Sequence, residues 1–166
     1  MQIRNAAITV LSALLLSFNL VSITSSAIPD KQIVAEVSKQ FHQETQCMAE
    51  NVYYEAASES FEGKLAVAQV TLNRVKSGNY PKTVCDVVKQ KDKNTCQFTW
   101  VCEKHTSDKD KYRWEESQIV ARKAMTEFAV HDTLYKSKAI YYHADYVNPG
   151  WNKTRVTKIG RHIFYR

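Results

Sequence analysis

Between positions 62 and 76 the chain places Leu65, Ala68, Leu72 and Val75 on one helical face, with Val67 and Val70 alongside. A helix of this kind is apolar over most of its circumference and must be buried centrally, so the rest of the chain has to wrap around it. Gly78 and Pro81 end it. Upstream, residues 31–59 predict further helix: Val34, Val37 and Phe41 share a face, and Met48, Val52, Glu55 and Glu59 recur at i, i+4, i+7 and i+11. The polar run 43–46 predicts a break between two helices. Thr83 is positioned to cap a short helix over 84–88, residues 89–94 read as a charged surface loop, and 110–130 predicts a helix with Trp114, Ala121, Ala124 or Met125, and Phe128 facing inward. The period then changes: 139–143 is rich in strand formers, and 154–159 and 161–166 flank Gly160 as a hairpin. Helices first and a small antiparallel sheet last predict an α+β fold.

The length of 166 residues suits one core rather than two. The 18 aromatics and few glycines and prolines exclude disordered and collagen-like classes. A polar start with Arg4, an apolar stretch over 6–23 and the small-residue exit Ser25-Ser26-Ala27 read as a secretory signal peptide at 1–27. The expected organisation is therefore a signal peptide at 1–27, a helical extension at 28–46 and the main domain at 47–166, with no membrane span after cleavage. Cys47, Cys85, Cys96 and Cys102 all follow the cleavage site, and an even count in an exported chain predicts two disulfides of undetermined pairing. A net charge of +6 favours an anionic polymer. The basic residues are spread along the chain without a basic tract, so nucleic acid is not expected as a partner.

Glu55 continues an apolar helical stripe beside Tyr53, Tyr54 and Ala56, and Glu59 lies one turn on. Desolvation and a neighbouring negative charge both penalise a carboxylate, so both push the Glu55 pKa upward, as a general acid requires. By position alone, a solvated or lysine-paired helix glutamate is the commoner outcome.

A wider pattern bears on that choice. Ala49-Glu50-Asn51-Val52-Tyr53-Tyr54-Glu55-Ala56-Ala57-Ser58-Glu59-Ser60 leads into Glu62-Gly63-Lys64-Leu65-Ala66-Val67-Ala68-Gln69-Val70-Thr71-Leu72-Asn73-Arg74-Val75. Cys96-Gln97-Phe98-Thr99-Trp100, Tyr141-Tyr142-His143-Ala144, Asn148-Pro149-Gly150-Trp151 and Gly160-Arg161-His162-Ile163-Phe164-Tyr165 come next, in that order. From Cys47 onward the chain resembles the SleB-type cell wall hydrolases, the spore cortex-lytic family. The resemblance implies a mainly helical, lysozyme-like domain that cuts peptidoglycan glycan strands as a lytic transglycosylase, without a cofactor and as a monomer. Glu55 matches the first glutamate of the family's EARGE motif and would be the catalytic acid/base. Here the motif reads EAASE, with Ala57 and Ser58 at the positions of the usual Arg and Gly.

Substrate contacts are expected from Glu59, Gln97, Phe98, Thr99, Tyr142 and His143. Gln97 and Thr99 are suited to hydrogen-bond sugar hydroxyl and N-acetyl groups, Phe98 to core filling or an apolar platform, and Tyr142 to orient Glu55 or bind glycan. The five histidines form no compact metal pattern, so no metal site is expected. An amidase acting on the stem peptide and a non-catalytic wall-binding module are the competing readings.

Overall fold

The computed structural model describes residues 30–105 and 108–166, and the signal sequence expected at 1–27 lies outside them. Within the described residues, five helices and five short strands run in the order α1 (Lys31–Ala56), α2 (Phe61–Ser77), α3 (Val84–Val88), β1 (Lys91–Asp92), β2 (Thr95–Cys96), α4 (Lys111–Glu127), α5 (Asp132–Ser137), β3 (Tyr141–Ala144), β4 (Arg155–Ile159) and β5 (His162–Tyr165), with a 3-10 turn at Thr99–Cys102. The fold is α+β, as expected.

Helix α2 is the central element. Ser60 caps its start by accepting from Gly63 N at 3.2 Å, and Gly78 ends it at φ +76°, a left-handed conformation open to glycine. Leu65, Ala68 and Leu72 face one cluster with Met48 and Val52 of α1, Val88 of α3, and Val120 and Ala124 of α4. Ala66 and Val70 face a second with Leu134, Ala139, Ile159 and Phe164. The polar side chains of α2 tie down the segment between α4 and β3. Gln69 Nε2 donates to Phe128 O at 3.2 Å. Asn73 Nδ2 donates to Leu134 O and Ala139 O at 2.9 and 2.8 Å, and Arg74 Nε donates to Ile140 O at 2.8 Å. Backbone carbonyls of that segment are thereby satisfied by side chains of a helix.

The sheet has order β3-β5-β4 and is antiparallel throughout. Tyr142 pairs with Phe164 and Ala144 with His162, so these residues face α2, while Tyr141, paired with Tyr165, points the other way.

Four expectations are corrected. The break at 43–46 does not occur: Gln and Glu are good helix formers, Thr45 Oγ1 bonds back to Phe41 O at 2.7 Å, and Glu44 Oε2 accepts from Cys85 N at 3.0 Å, so the polar run serves the helix and its neighbour. The first helix ends at Ala56 rather than 59, because the chain turns into the Ser60 cap of α2. Phe128 is 61% exposed rather than inward, since it adopts φ +55° and ends α4 at Glu127. Residues 89–94 contain β1 of a two-stranded ribbon, with Lys91 opposite Cys96. The short helix α5 had no expected counterpart.

Candidate active site

The last turn of α1 carries Tyr53, Tyr54 and Glu55, and each is fixed differently. Tyr53 Oη accepts from Asp110 N at 2.9 Å, and Asp110 is the N-cap of α4, so α1 ends against the start of α4. Tyr54 stacks against both Trp100 and His105, with ring centroids 4.6 and 4.2 Å away. Glu55 points into a cleft of about 140 Å³ lined also by Arg74, Gln97, Phe98, Thr99 and Tyr142.

The loop opposite Glu55 is held by covalent and aromatic contacts. The disulfides join Cys47 to Cys85 and Cys96 to Cys102. The second closes the loop that contains residues 97–99, Gln97 N bonds Gln90 O at 2.9 Å, and Trp100 anchors the far end on Tyr54. Gln97 and Thr99 are exposed in the cleft whereas Phe98, between them, is buried in the core beneath.

Tyr142 reaches across from β3, and its hydroxyl donates to Glu55 Oε2 at 3.0 Å. Burial pushes the Tyr142 phenol well up, and the Glu55 charge adds to the shift, so the group stays protonated and remains a donor. Burial also raises the Glu55 pKa; the Tyr142 hydrogen bond and the Arg74 charge oppose that shift, and Glu103 reinforces it. The last turn of a helix, where backbone carbonyls lack partners, disfavours a carboxylate in the same sense.

Glu55, Gln97, Phe98, Thr99 and Tyr142 are thus brought together, and Glu59 and His143 are not among the cleft residues. Glu59 lies beyond the helix, wedged between two glycines. Its Oε2 accepts from Arg161 N at 3.1 Å in the β4–β5 turn. A Cβ on Gly160, at φ +57°, would collide with that carboxylate, and one on Gly63 would lie 2.9 Å from Glu59 Cβ. The carboxylate that opposes ionisation of Glu55 is therefore Glu103, not Glu59 as the sequence suggested. His143 is on the outer face of the sheet, with Nε2 2.9 Å from Tyr165 Oη.

Sequence reasoning missed Arg74. Its side chain is 3% exposed, its Cζ lies 5.2 Å from the centroids of both Tyr80 and Phe98, and its Nη1 has no hydrogen-bond partner among the described residues. Lys64 and Lys76 are cations of the same helix, so no local signal set Arg74 apart. A larger hollow of about 510 Å³ near the end of α2 is lined by Lys76, Lys136 and Lys138 among others and, among the described residues, by no carboxyl group, so it is unsuited to acid catalysis. Among the described residues no helix is long and apolar enough to cross a membrane.

A family model described as Cell Wall Hydrolase matches residues 58–165, beginning just after Glu55. The spore cortex-lytic enzyme of Oceanobacillus iheyensis is 37% identical over 122 residues, covering 72% of this chain and 40% of that protein. The spore cortex-lytic enzyme of Bacillus subtilis is 30% identical over 124 residues, covering 70% of this chain and 35% of that one. The chain thus spans well under half the length of these relatives. Among solved structures, the catalytic domain of the germination-specific lytic transglycosylase SleB from Bacillus anthracis superposes with a TM-score of 0.59 at 29% identity, over 74% of this chain and 93% of that domain. The catalytic domain of Bacillus cereus SleB gives 0.59 at 28% identity, over 75% and 91%.

Proposed function

The chain belongs to the Cell Wall Hydrolase family, and from that premise we propose that it is an exported enzyme that cleaves the glycosidic bond between N-acetylmuramic acid and N-acetylglucosamine in peptidoglycan, leaving 1,6-anhydro ends. One observation carries the reading: among the described residues Glu55 is the only carboxyl group lining the cleft, it is partly buried, and it is fixed by a hydrogen bond from a phenol that stays protonated.

With Oε2 accepting from Tyr142, the acid proton resides on Oε1. Glu55 gives this proton to the oxygen between the two sugars as the muramoyl C1–O bond breaks. The C6 hydroxyl oxygen of the same muramoyl ring then bonds to C1, and its proton returns to Glu55, which is restored without consuming water. Hydrolysis with a separate base or nucleophile would call for a second carboxyl group some 5–9.5 Å from the first. Glu59 instead accepts from the backbone of the β4–β5 turn, and Glu103, whose charge acts on Glu55, is not among the residues lining the cleft.

Arg74 has a definite part in this cycle. While Glu55 is protonated it has no anion to face; once the proton has left, the Arg74 charge favours the carboxylate. Tyr142 acts in the same sense, so the transient carboxylate is stabilised by two preorganised groups. Gln97 and Thr99, both exposed in the cleft, would hold sugar hydroxyl and N-acetyl groups.

Glu55→Gln tests the assignment, because it keeps size and hydrogen bonding but cannot cycle a proton. Release of soluble muropeptides should fall by at least ~100-fold, with binding to insoluble peptidoglycan retained. Full turnover in this variant would remove Glu55 from the mechanism.

A further inference from the structure

In a small α+β domain the sheet face turned away from the helices ordinarily carries polar side chains. Here β3 and β5 put Tyr141, His143 and Tyr165 on that face, with Tyr141 directly opposite Tyr165 and Tyr165 opposite Arg155 of β4. The loop 145–154 adds a fourth ring system. Asn148 Oδ1 accepts from Gly150 N at 3.2 Å and Gly150 adopts φ +65°, a turn that lays Trp151 back over the strands. Its ring lies 5.5 to 5.9 Å from those of His143, Tyr141 and Tyr165.

If Trp151 only sealed the sheet, it would be largely covered, yet it remains 40% exposed. Cations accompany it. Lys153 Nζ lies 3.6 Å above the Tyr141 ring, and among the described residues neither Lys153 nor Arg155 has an ion-pair partner. Tyr141 is also beside Tyr80, whose ring carries the Arg74 guanidinium that lines the Glu55 cleft. The aromatic face therefore continues from the wall of the cleft around the edge of the sheet.

We propose that Trp151, Tyr141 and Lys153 form a second glycan-binding surface that holds a peptidoglycan strand beyond the bond being cut, with the Trp151 ring against the C–H face of a pyranose and Lys153 toward the carboxylates of the stem peptides. This rests on the peptidoglycan reading and deepens it. The surface dictates the chemistry of its occupant: rigid amphipathic rings suit sugars, which offer C–H faces edged by hydroxyls, and unpaired cations suit a polymer with regularly spaced carboxylates. The surface would act on long strands and leave a short fragment spanning only the Glu55 cleft unaffected.

The test combines two substrates and two variants. In a Glu55→Gln background, sedimentation with purified peptidoglycan sacculi should show Trp151→Ala weakening binding by about tenfold, with Trp151→Phe restoring part of it. With Glu55 present, Trp151→Ala should release products from sacculi more slowly at limiting substrate while cutting a soluble tetrasaccharide muropeptide at the wild-type rate. Lys153→Glu should weaken binding to sacculi without changing binding to chitin, a neutral polymer of N-acetylglucosamine. Unchanged binding of sacculi in both variants would overturn the proposal, as would an equal loss on the tetrasaccharide by folded Trp151→Ala. If Trp151→Ala does not fold, Lys153→Glu decides by itself, through the same two polymers. Failure of the underlying reading appears separately, as wild-type protein that cuts neither sacculi nor the tetrasaccharide.

Discussion

The two halves of α1 have similar apolar periodicity and opposite fates. Ile33, Val34, Val37 and Phe41 are 60, 52, 60 and 43% exposed, whereas Cys47, Met48 and Val52 are at most 4% exposed. One unbroken helix joins them, so the difference lies in what stands opposite: α2, α3 and α4 meet the second half and the Cys47–Cys85 bridge pins it. Periodicity identifies the face a helix would bury; only the path of the rest of the chain decides whether that face is covered. The buried half is also the one that delivers Glu55.

The widest separation between the halves should come from the bridge at their boundary. In the chain-entropy account, a bridge across 38 residues contributes about 4 kcal/mol and one across 6 residues about 2 kcal/mol. Replacing Cys47 and Cys85 by Ser should therefore lower unfolding stability about twice as much as replacing Cys96 and Cys102, by urea titration at fixed pH. The second replacement should slow turnover more, because it frees the loop with Gln97 and Thr99. Equal losses in stability would contradict the account.

Met48→Ala should cost about 3 kcal/mol, since Met48 is fully buried among α1, α2 and α4. Val37→Ala, on the same helix, should change stability by no more than ~0.5 kcal/mol. A large loss at Val37 would mean that the exposed half is covered in solution.

Tyr142→Phe is a smaller change on the catalytic end. Removing one hydrogen bond to a charged group should lower turnover roughly tenfold. Tyr142 lowers the Glu55 pKa, so its loss should raise that pKa further. An acid works while protonated: activity is present below the pKa and lost as pH rises through it, so the alkaline limb of the rate profile should move upward in Tyr142→Phe. A downward movement would reverse the assigned direction of the hydrogen bond's effect.

The fold was legible where a single period ran uninterrupted. Central α2, the Thr83 cap and the hairpin around Gly160 all stand where the pattern put them, because each rests on local signals of burial, capping or turn geometry. The polar stretch 43–46 was misleading: Glu44 is spent on a backbone N–H of α3, a contact 41 residues away in sequence. Glu59 was misplaced for a related reason. Helical extrapolation put it on the Glu55 face, but the chain had already turned, and its carboxylate serves a hairpin near the carboxyl end. In the cleft, Glu55 and Tyr142 come from elements 87 residues apart and were linked beforehand only by the family resemblance. Nothing local marked Arg74, since its pairing with the Ile140 carbonyl and with two aromatic rings depends on the finished fold.

Digestion of peptidoglycan in oxygen-18 water, with mass spectrometry of the released muropeptides, probes the single-carboxyl cycle most directly. Proton return from the muramoyl C6 hydroxyl predicts anhydro ends, lighter than their hydrolytic counterparts by one water and free of the label, and no such products from Glu55→Gln. Reducing muramic ends carrying oxygen-18 would show that water attacks the sugar and would contradict the mechanism.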